Sequence, residues 1–188
     1  MKSQDKQTLE DLLQENRSQL VQEWYEQAYC SYPGETAKFL KRQKDEFANP
    51  VGATFSKELE KIFDELLLEE STDNLPNSID AIVRVRAVQD FPPSSAVAFF
   101  QELKEVVRQK LGAQIQKYGL QQELYLFESK VDQLSLLVFD IYMKCREKLW
   151  ELKAKEAQLR TKNLLRRAEV DWSFPDSGSS SGSSDQLT

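Results

Sequence analysis

Apolar residues recur along most of the chain at spacings of three and four, the period of one face of an α-helix. The prolines fall between these stretches or beyond the last one, which predicts a succession of separate helices because proline disrupts a helix interior. The first helix is expected over residues 8–29. Its expected inward face consists of Leu9, Leu12, Leu13, Leu20, Val21, Trp24, Tyr25 and Ala28.

The next two predicted helices begin at recognisable caps. Thr36 is a suitable N-cap for a short helix, and Asn49 followed by Pro50 is a favoured start for a longer one. A polar loop over residues 71–77 is expected to close the longer helix. The expected buried positions are Phe39, Leu40 and Phe47 in the first of these helices, and Val51, Phe55, Leu59, Ile62, Phe63 and Leu66 in the second.

Two more helices follow in the pattern. Ser78 is expected to cap the fourth helix, which stops at Phe91 because a residue before proline disfavours the helical conformation. The fifth is expected over residues 94–111, and Gly112 and Gly119 then flank a turn or a short kinked link. The expected buried positions are Ile79, Ile82, Val83 and either Val85 or Val88, then Val97, Phe100, Leu103, Val107 and Leu111.

Residues 120–168 contain no proline and no glycine, so one continuous helix on the order of 70 Å long is permitted. The spacing of its apolar residues is that of a coiled-coil seam, which can pack on the preceding helices or on another chain. Beyond Trp150 the expectation is partner contact or fraying. The seam consists of Leu124, Phe127, Val131, Leu134, Val138, Ile141 and Cys145.

Composition narrows the function classes. The chain has 188 residues and no histidine, which removes the commonest general base, the usual haem ligand and most zinc sites. Its two cysteines, Cys30 and Cys145, are far apart and belong to no C-x-x-C pair, which favours a reducing compartment. We expect no signal peptide, and the longest apolar stretches fall short of the roughly 20 residues that cross a bilayer. We expect a cytoplasmic protein with no enzymatic activity, no cofactor and no metal.

Charge separates the end of the chain from the remainder. The net charge is −6, yet residues 144–169 contain nine basic residues and four acids. This basic helix suggests an anionic partner or self-complementary docking, or else a solvated helix whose cations suit the negative end of its own dipole. Nucleic acid is disfavoured because the segment offers only Trp150 as an aromatic platform. The predicted organisation is a helical domain over 1–118, a long helix over 119–169 and a disordered tail over 170–188.

Several short motifs in the middle of the chain resemble the RsbRD N-terminal domain family. They are Asn-Pro-Val-Gly-Ala-Thr at 49–54, Ile-Val-Arg-Val-Arg-Ala-Val-Gln-Asp-Phe at 82–91, and Ala-Val-Ala-Phe at 96–99. Trp24, the Tyr32-Pro33 turn, Phe39-Leu40 and Lys-Asp-Glu-Phe at 44–47 fit the same pattern in the same order. The resemblance covers about residues 8–112.

The resemblance implies a helical sensory or regulatory domain, usually placed ahead of a STAS, histidine kinase or PucR-type output module. Globin-like packing is one architecture that it allows. Pro92-Pro93 stands where relatives have Ser or Thr before a single proline, so Ser94 or the backbone must supply that cap. No output module fits after residue 112, so a stand-alone form acting through a partner protein is expected. The predicted fold is all-α: a five-helix globular bundle followed by the long helix with its coiled-coil-like seam.

Two groups of residues are candidate sites. Arg86 and Asp90 are neighbours at i, i+4 and could form a pair that locks the helix end. Alternatively, Arg84 or Arg86 faces a cleft beside Trp24 and recognises an anionic ligand or an acidic partner side chain. Trp24 is otherwise a core aromatic. The expected partner-docking residues of the long helix are Leu149, Trp150, Leu152, Lys153, Arg160, Arg166 and Arg167.

Three functional hypotheses follow. The first is a non-enzymatic regulator that acts through contacts of its helical domain and long helix with a signalling or redox partner protein, or with a second copy through that helix. The second is a structural subunit that scaffolds a larger complex. The third is a nucleic-acid or membrane-surface binder that uses the basic segment.

Overall fold

The computed structural model describes residues 7–30, 34, 49–68 and 74–167, with the side chains of residues 29 and 30 excepted. Six α-helices and no strand occur within these ranges, so the predicted all-α fold is confirmed. The predicted short helix after Thr36 and the predicted tail lie outside the described residues.

The first predicted helix is interrupted at Asn16, giving α1 (Leu9–Glu15) and α2 (Arg17–Cys30). Thr8 caps α1 in a reciprocal capping box with Asp11. The Asn16 side-chain amide donates to the Leu12 carbonyl at 2.8 Å, which offers the backbone an alternative to the helical ladder. The predicted inward residues of both helices are buried, except Tyr25, which is half-buried.

Helix α3 (Pro50–Leu67) confirms the predicted start. The Asn49 Oδ1 accepts a hydrogen bond of 2.8 Å from the Gly52 N–H, and Pro50 occupies the first turn. At the other end, Lys130 Nζ donates to the carbonyls of Leu66 and Leu68 at 3.2 and 2.7 Å. A cation at this end compensates the unsatisfied carbonyls of the last turn.

Helix α4 (Leu75–Val88) begins earlier than the pattern predicts. The cap at Ser78 is wrong: Asn74 is the N-cap residue, Pro76 lies in the first turn, and Ser78 is a buried residue inside the helix. Proline supplies a helical φ and needs no partner for an N–H, which explains the earlier start. Of the two alternatives for the inward face, Val85 is half-buried and Val88 is exposed.

Helix α5 (Pro93–Tyr118) runs through Gly112, so the turn or kinked link predicted after residue 111 is wrong. Glycine weakens a helix without forbidding it, and the apolar face continues to Ile115. The helix ends at Gly119, which adopts a left-handed conformation with φ 72°. No side chain caps its start, where the Ala96 N–H donates to the Pro92 carbonyl at 3.0 Å.

Helix α6 (Gln121–Arg167) confirms the long helix. Its seam packs on the core of its own chain. Phe127, Val131, Leu134 and Val138 of the predicted seam are buried, and Leu124, Ile141 and Cys145 are half-buried. Tyr142, which the seam pattern did not include, is buried as well. The chain divides into two compact units, one ending at Leu149 and the other starting at Trp150. The predicted domain boundary at residue 118 stays a prediction. Within the described residues, no helix has the length and apolar character needed to cross a membrane.

Candidate functional site

The turn between α4 and α5 has an unusual conformation. Asp90 adopts a left-handed φ of 57° and is the one non-glycine residue with a positive φ in the described part of the chain. The Asp90 N–H donates to the Ala87 carbonyl and the Phe91 N–H to the Arg86 carbonyl, both at 3.2 Å. This is the Schellman pattern, which usually places glycine where Asp90 stands. Asp90 therefore holds a conformation that most side chains disfavour.

Arg86 is fully buried directly beneath this turn. Its guanidinium donates to the carbonyls of Ser95 in α5 and Ala28 in α2, at 3.1 and 3.3 Å. The guanidinium carbon lies 4.3 and 4.9 Å from the ring centroids of Phe99 and Phe91. Carbonyl oxygens and aromatic faces are the surroundings that offset the cost of burying an arginine. Arg86 thus joins the end of α2, the start of α5 and the turn itself.

Trp24 lies in the same cluster as a core residue. Its indole N–H donates to the Phe99 carbonyl at 2.9 Å, and its ring stacks on Phe99 with the centroids 6.1 Å apart. Trp24 and Arg86 therefore contact the same phenylalanine. Arg84 is 70% exposed and pairs with Asp80 at 2.5 Å, so it does not join this cluster.

Helix α6 binds the outside of the turn through two side chains. The buried Tyr142 donates its hydroxyl hydrogen to the Phe91 carbonyl. One turn further on, Arg146 Nη1 lies 2.8 Å from Asp90 Oδ1. Asp90, which the sequence predicted as a partner of Arg86, thus contacts α6. Burial raises the pKa of the Tyr142 phenol, so the group stays protonated and available as a donor at neutral pH.

Two further features of the described residues concern metal binding and thiol chemistry. These residues contain no group of three or more histidine, cysteine or acidic side chains that could hold a metal ion. Burial raises the pKa of the Cys145 thiol, whose sulfur lies 3.6 Å from Asp80 Oδ1. Because the thiolate is the reactive form, this environment makes Cys145 a poor nucleophile.

Comparison with known protein families places the chain in one of them. The family model for the RsbT co-antagonist protein rsbRD N-terminal domain matches residues 18–157. The chain belongs to this family. The match extends past the residues that carried the resemblance and takes in most of α6. The RsbRD N-terminal domain is a regulatory domain, not known as enzymatic, and membership implies a regulatory or sensory role in stress signalling and suggests partner proteins.

One relative is an uncharacterized protein of Archaeoglobus fulgidus. It is 26% identical over 150 residues, which cover 76% of this chain and 85% of the relative. No solved structure matches the chain significantly.

The second group of predicted site residues lies at the end of α6. Leu149, the last residue of the first unit, is half-buried against the core. In the second unit, Trp150 and Leu152 are 62% and 56% exposed, and Lys153 Nζ lies 5.6 Å from the Trp150 ring centroid. Arg160 donates to Glu156 at 2.6 Å. Arg166 and Arg167 are exposed in the last turn.

Sequence reasoning missed that Arg86 is a core residue of this RsbRD N-terminal domain. A signal was present, because position 86 follows Ile79, Ile82 and Val83 at helical spacing and so lies on the inward face of α4. The contacts of Tyr142 and Arg146 with the turn join residues about 50 positions apart. No local pattern reports such a contact, so it becomes visible only in the fold.

Proposed function

We propose that this RsbRD N-terminal domain is a non-enzymatic regulator in the cytoplasm that acts through protein–protein contacts, and that the position of α6 on the α4–α5 turn is its output. The observation that carries the proposal is the pair of contacts that α6 makes with the turn. Tyr142 holds the Phe91 carbonyl and Arg146 holds the Asp90 carboxylate. A change in the turn would alter both contacts at once.

The turn is suited to such a role because its conformation depends on its neighbours. Asp90 is in a left-handed conformation, and the Arg86 guanidinium lies against the Phe91 ring. A small shift of α2 or α5 would move the Ala28 or Ser95 carbonyl that Arg86 binds. Packed cores of this kind respond to such shifts by switching between discrete arrangements, which gives a regulator two states.

The test uses the full chain, because stopping it after Tyr118 would remove the buried residues of α6 from the core. The variant Tyr142→Phe/Arg146→Gln removes both contacts with the turn. The control Tyr125→Phe/Lys144→Gln likewise removes one phenol hydroxyl and one positive charge, at exposed positions of the same helix. Each tagged protein is expressed in its native host and purified under reducing conditions. Partners are identified by mass spectrometry, and each partner's affinity is then measured with purified proteins.

We expect a stoichiometric partner whose affinity changes at least fivefold in the Tyr142/Arg146 variant and stays unchanged in the control. Equal binding by the native chain, the variant and the control would instead support a structural subunit whose association with its partner does not depend on the turn. Recovery of no partner under any growth condition would contradict a role based on protein contacts.

A further inference from the structure

Five of the six cations among residues 150–167 follow a seven-residue repeat, and the sixth is Arg166. When Leu152 and Leu159 are placed at the d position of a heptad, residues 153, 160 and 167 fall at e, and residues 155 and 162 fall at g. Each of these five positions in the described segment 150–167 is a lysine or arginine. They are Lys153, Arg160, Arg167, Lys155 and Lys162.

The e and g positions of paired helices face one another across a coiled-coil seam and determine which partner is accepted. A second copy of this segment, whether parallel or antiparallel, would bring cations against cations at the e and g positions. Like charges at these positions are unfavourable, so self-pairing is opposed. A helix with carboxylates at its e and g positions would make favourable pairs instead.

We propose that residues 150–167 dock an amphipathic helix of a partner protein that carries apolar residues at a and d and Asp or Glu at e and g. This inference rests on the proposed function and names the chemistry of the partner. Asn163 falls at an a position, where a polar side chain specifies the register of two paired helices. Leu152 and Leu159 are the apolar d residues and are both more than half exposed, whereas Arg166 occupies the last d position of the segment.

The small apolar content of the seam makes charge decisive. Two leucines supply limited apolar burial, so ion pairs set the selectivity and much of the encounter rate. Exposed ion pairs weaken as salt is added. The docking is therefore reversible and salt-dependent.

The same pattern argues against two other classes of partner. A helix that lies on a membrane needs its apolar residues on one face, but Trp150 and Leu152 point about 200° apart around the helix. A nucleic-acid reader aims its cations at phosphates and has no need of leucines between two rows of cations. Glu156 at the a position would also repel a phosphate backbone.

The experiment measures binding of the full chain to two synthetic helical peptides by fluorescence anisotropy. Both peptides carry leucine at a and d, and one has glutamate while the other has lysine at e and g. The variant Lys153→Glu/Lys155→Glu/Lys162→Glu reverses three of the five charges. The control Lys57→Glu/Lys117→Glu/Lys144→Glu makes the same change in net charge at exposed lysines elsewhere. Circular dichroism establishes that each protein keeps its helix content.

We expect the native chain to bind the acidic peptide at least tenfold more tightly than the basic one, with an affinity that falls steeply as salt is added. The Lys153/Lys155/Lys162 variant should lose about tenfold in affinity for the acidic peptide and gain affinity for the basic one, while the control behaves as the native chain. Equal binding of both peptides, or equal losses in variant and control, would overturn the proposal. Binding to phosphatidylserine vesicles or duplex DNA without binding to the acidic peptide would also overturn it. If a captured partner binds the Lys153/Lys155/Lys162 variant as tightly as the native chain, this inference is contradicted, but the proposed function is not.

Discussion

Arg146 of α6 lies 2.8 Å from the carboxylate of Asp90, the residue that adopts the left-handed conformation between α4 and α5. One contact thus connects the long helix to the one non-glycine residue with a positive φ in the described chain. The carboxylate favours the ion pair, whereas the backbone at that position favours glycine. At Asp90, the side chain's ion pair with Arg146 and the backbone's preference for glycine therefore oppose each other.

Substitutions at Asp90 separate these two effects. Asp90→Ala should lower the free energy of unfolding by about 1–2 kcal/mol, because alanine tolerates the left-handed conformation poorly and cannot pair with Arg146. Asp90→Gly should be the more stable of the two, since glycine adopts this conformation without strain. Urea denaturation of both variants measures the order. Equal stability of the two would contradict the strained conformation.

Arg86→Ala should be strongly destabilising, by about 3–5 kcal/mol, because it leaves a cavity and removes the donors to the Ala28 and Ser95 carbonyls. Arg86→Lys should also be costly, since a lysine ammonium cannot reproduce the planar contact with Phe99 or both hydrogen bonds. The matched control is Arg84→Ala, at a residue 70% exposed, which should change stability by less than about 0.5 kcal/mol. Thermal or urea unfolding of the three variants measures these changes in the free energy of unfolding. An Arg86→Ala protein within about 1 kcal/mol of the native one would show that the buried arginine does not hold the helices together.

Lys104 of α5 and Asp132 of α6 form an ion pair with the nitrogen and oxygen 2.5 Å apart. This pair should contribute to stability in a pH-dependent way. The hydrogen bond from Lys104 lowers the pKa of Asp132 below its ordinary value of 3.8. A lowered carboxyl pKa stabilises the folded state above the ordinary value, and this contribution is lost as the pH falls through the lowered pKa. Asp132→Asn should therefore be less stable than the native chain at pH 6, and the difference should shrink as the pH falls below 3.8.

The Lys104→Gln variant tests the same ion pair from the side of the lysine. It removes the other half of the same pair, so its stability difference from the native chain should converge over the same acidic range. Chemical denaturation at several pH values tests both variants. A difference that stays constant from pH 6 to the acid limit would contradict the assigned partner.

Gly112→Ala should stabilise the protein by about 0.5–1 kcal/mol, because alanine is the better helix former and reduces the freedom of the unfolded chain. A Cβ at this position would meet no atom within 4 Å. The contrasting variant is Gly119→Ala, where φ is 72° and a side chain is strained. It should destabilise by about 1 kcal/mol. The melting temperature should rise above that of the native chain for Gly112→Ala and fall below it for Gly119→Ala. A lower melting temperature for Gly112→Ala would contradict the expectation.

The sequence predicted features that depend on neighbouring residues. The Asn49 cap, most of the buried positions of α3 and α5 and the continuous α6 follow from spacing and from the preferences of single residues. Val51 and Val97, also predicted to face inward, are half-buried, and the buried Phe99 was not predicted. The interruption at Asn16 was missed because a side chain bonding back to Leu12 leaves the apolar spacing unchanged. The helical path through Gly112 was missed because tertiary packing outweighs a weak local preference.

The candidate site was predicted less well than the fold, for a physical reason. Arginine is treated as a surface residue, and only the apolar spacing of α4 indicated that Arg86 points inward. Whether Ala28 and Ser95 offer their carbonyls to it depends on how three helices are placed together. That placement is a property of the assembled core.

The burial of Arg86 also affects local unfolding of the helices that surround it. The end of α2 and the start of α5 each supply a carbonyl that accepts a hydrogen bond from its guanidinium. If either helix detached alone, a guanidinium would remain among phenylalanine rings with fewer acceptors, so a partly opened state is penalised. The amide protons near residues 28 and 95 should therefore exchange with solvent through one shared opening event. A single buried charge thereby makes two helix ends, distant in sequence, one cooperative unit.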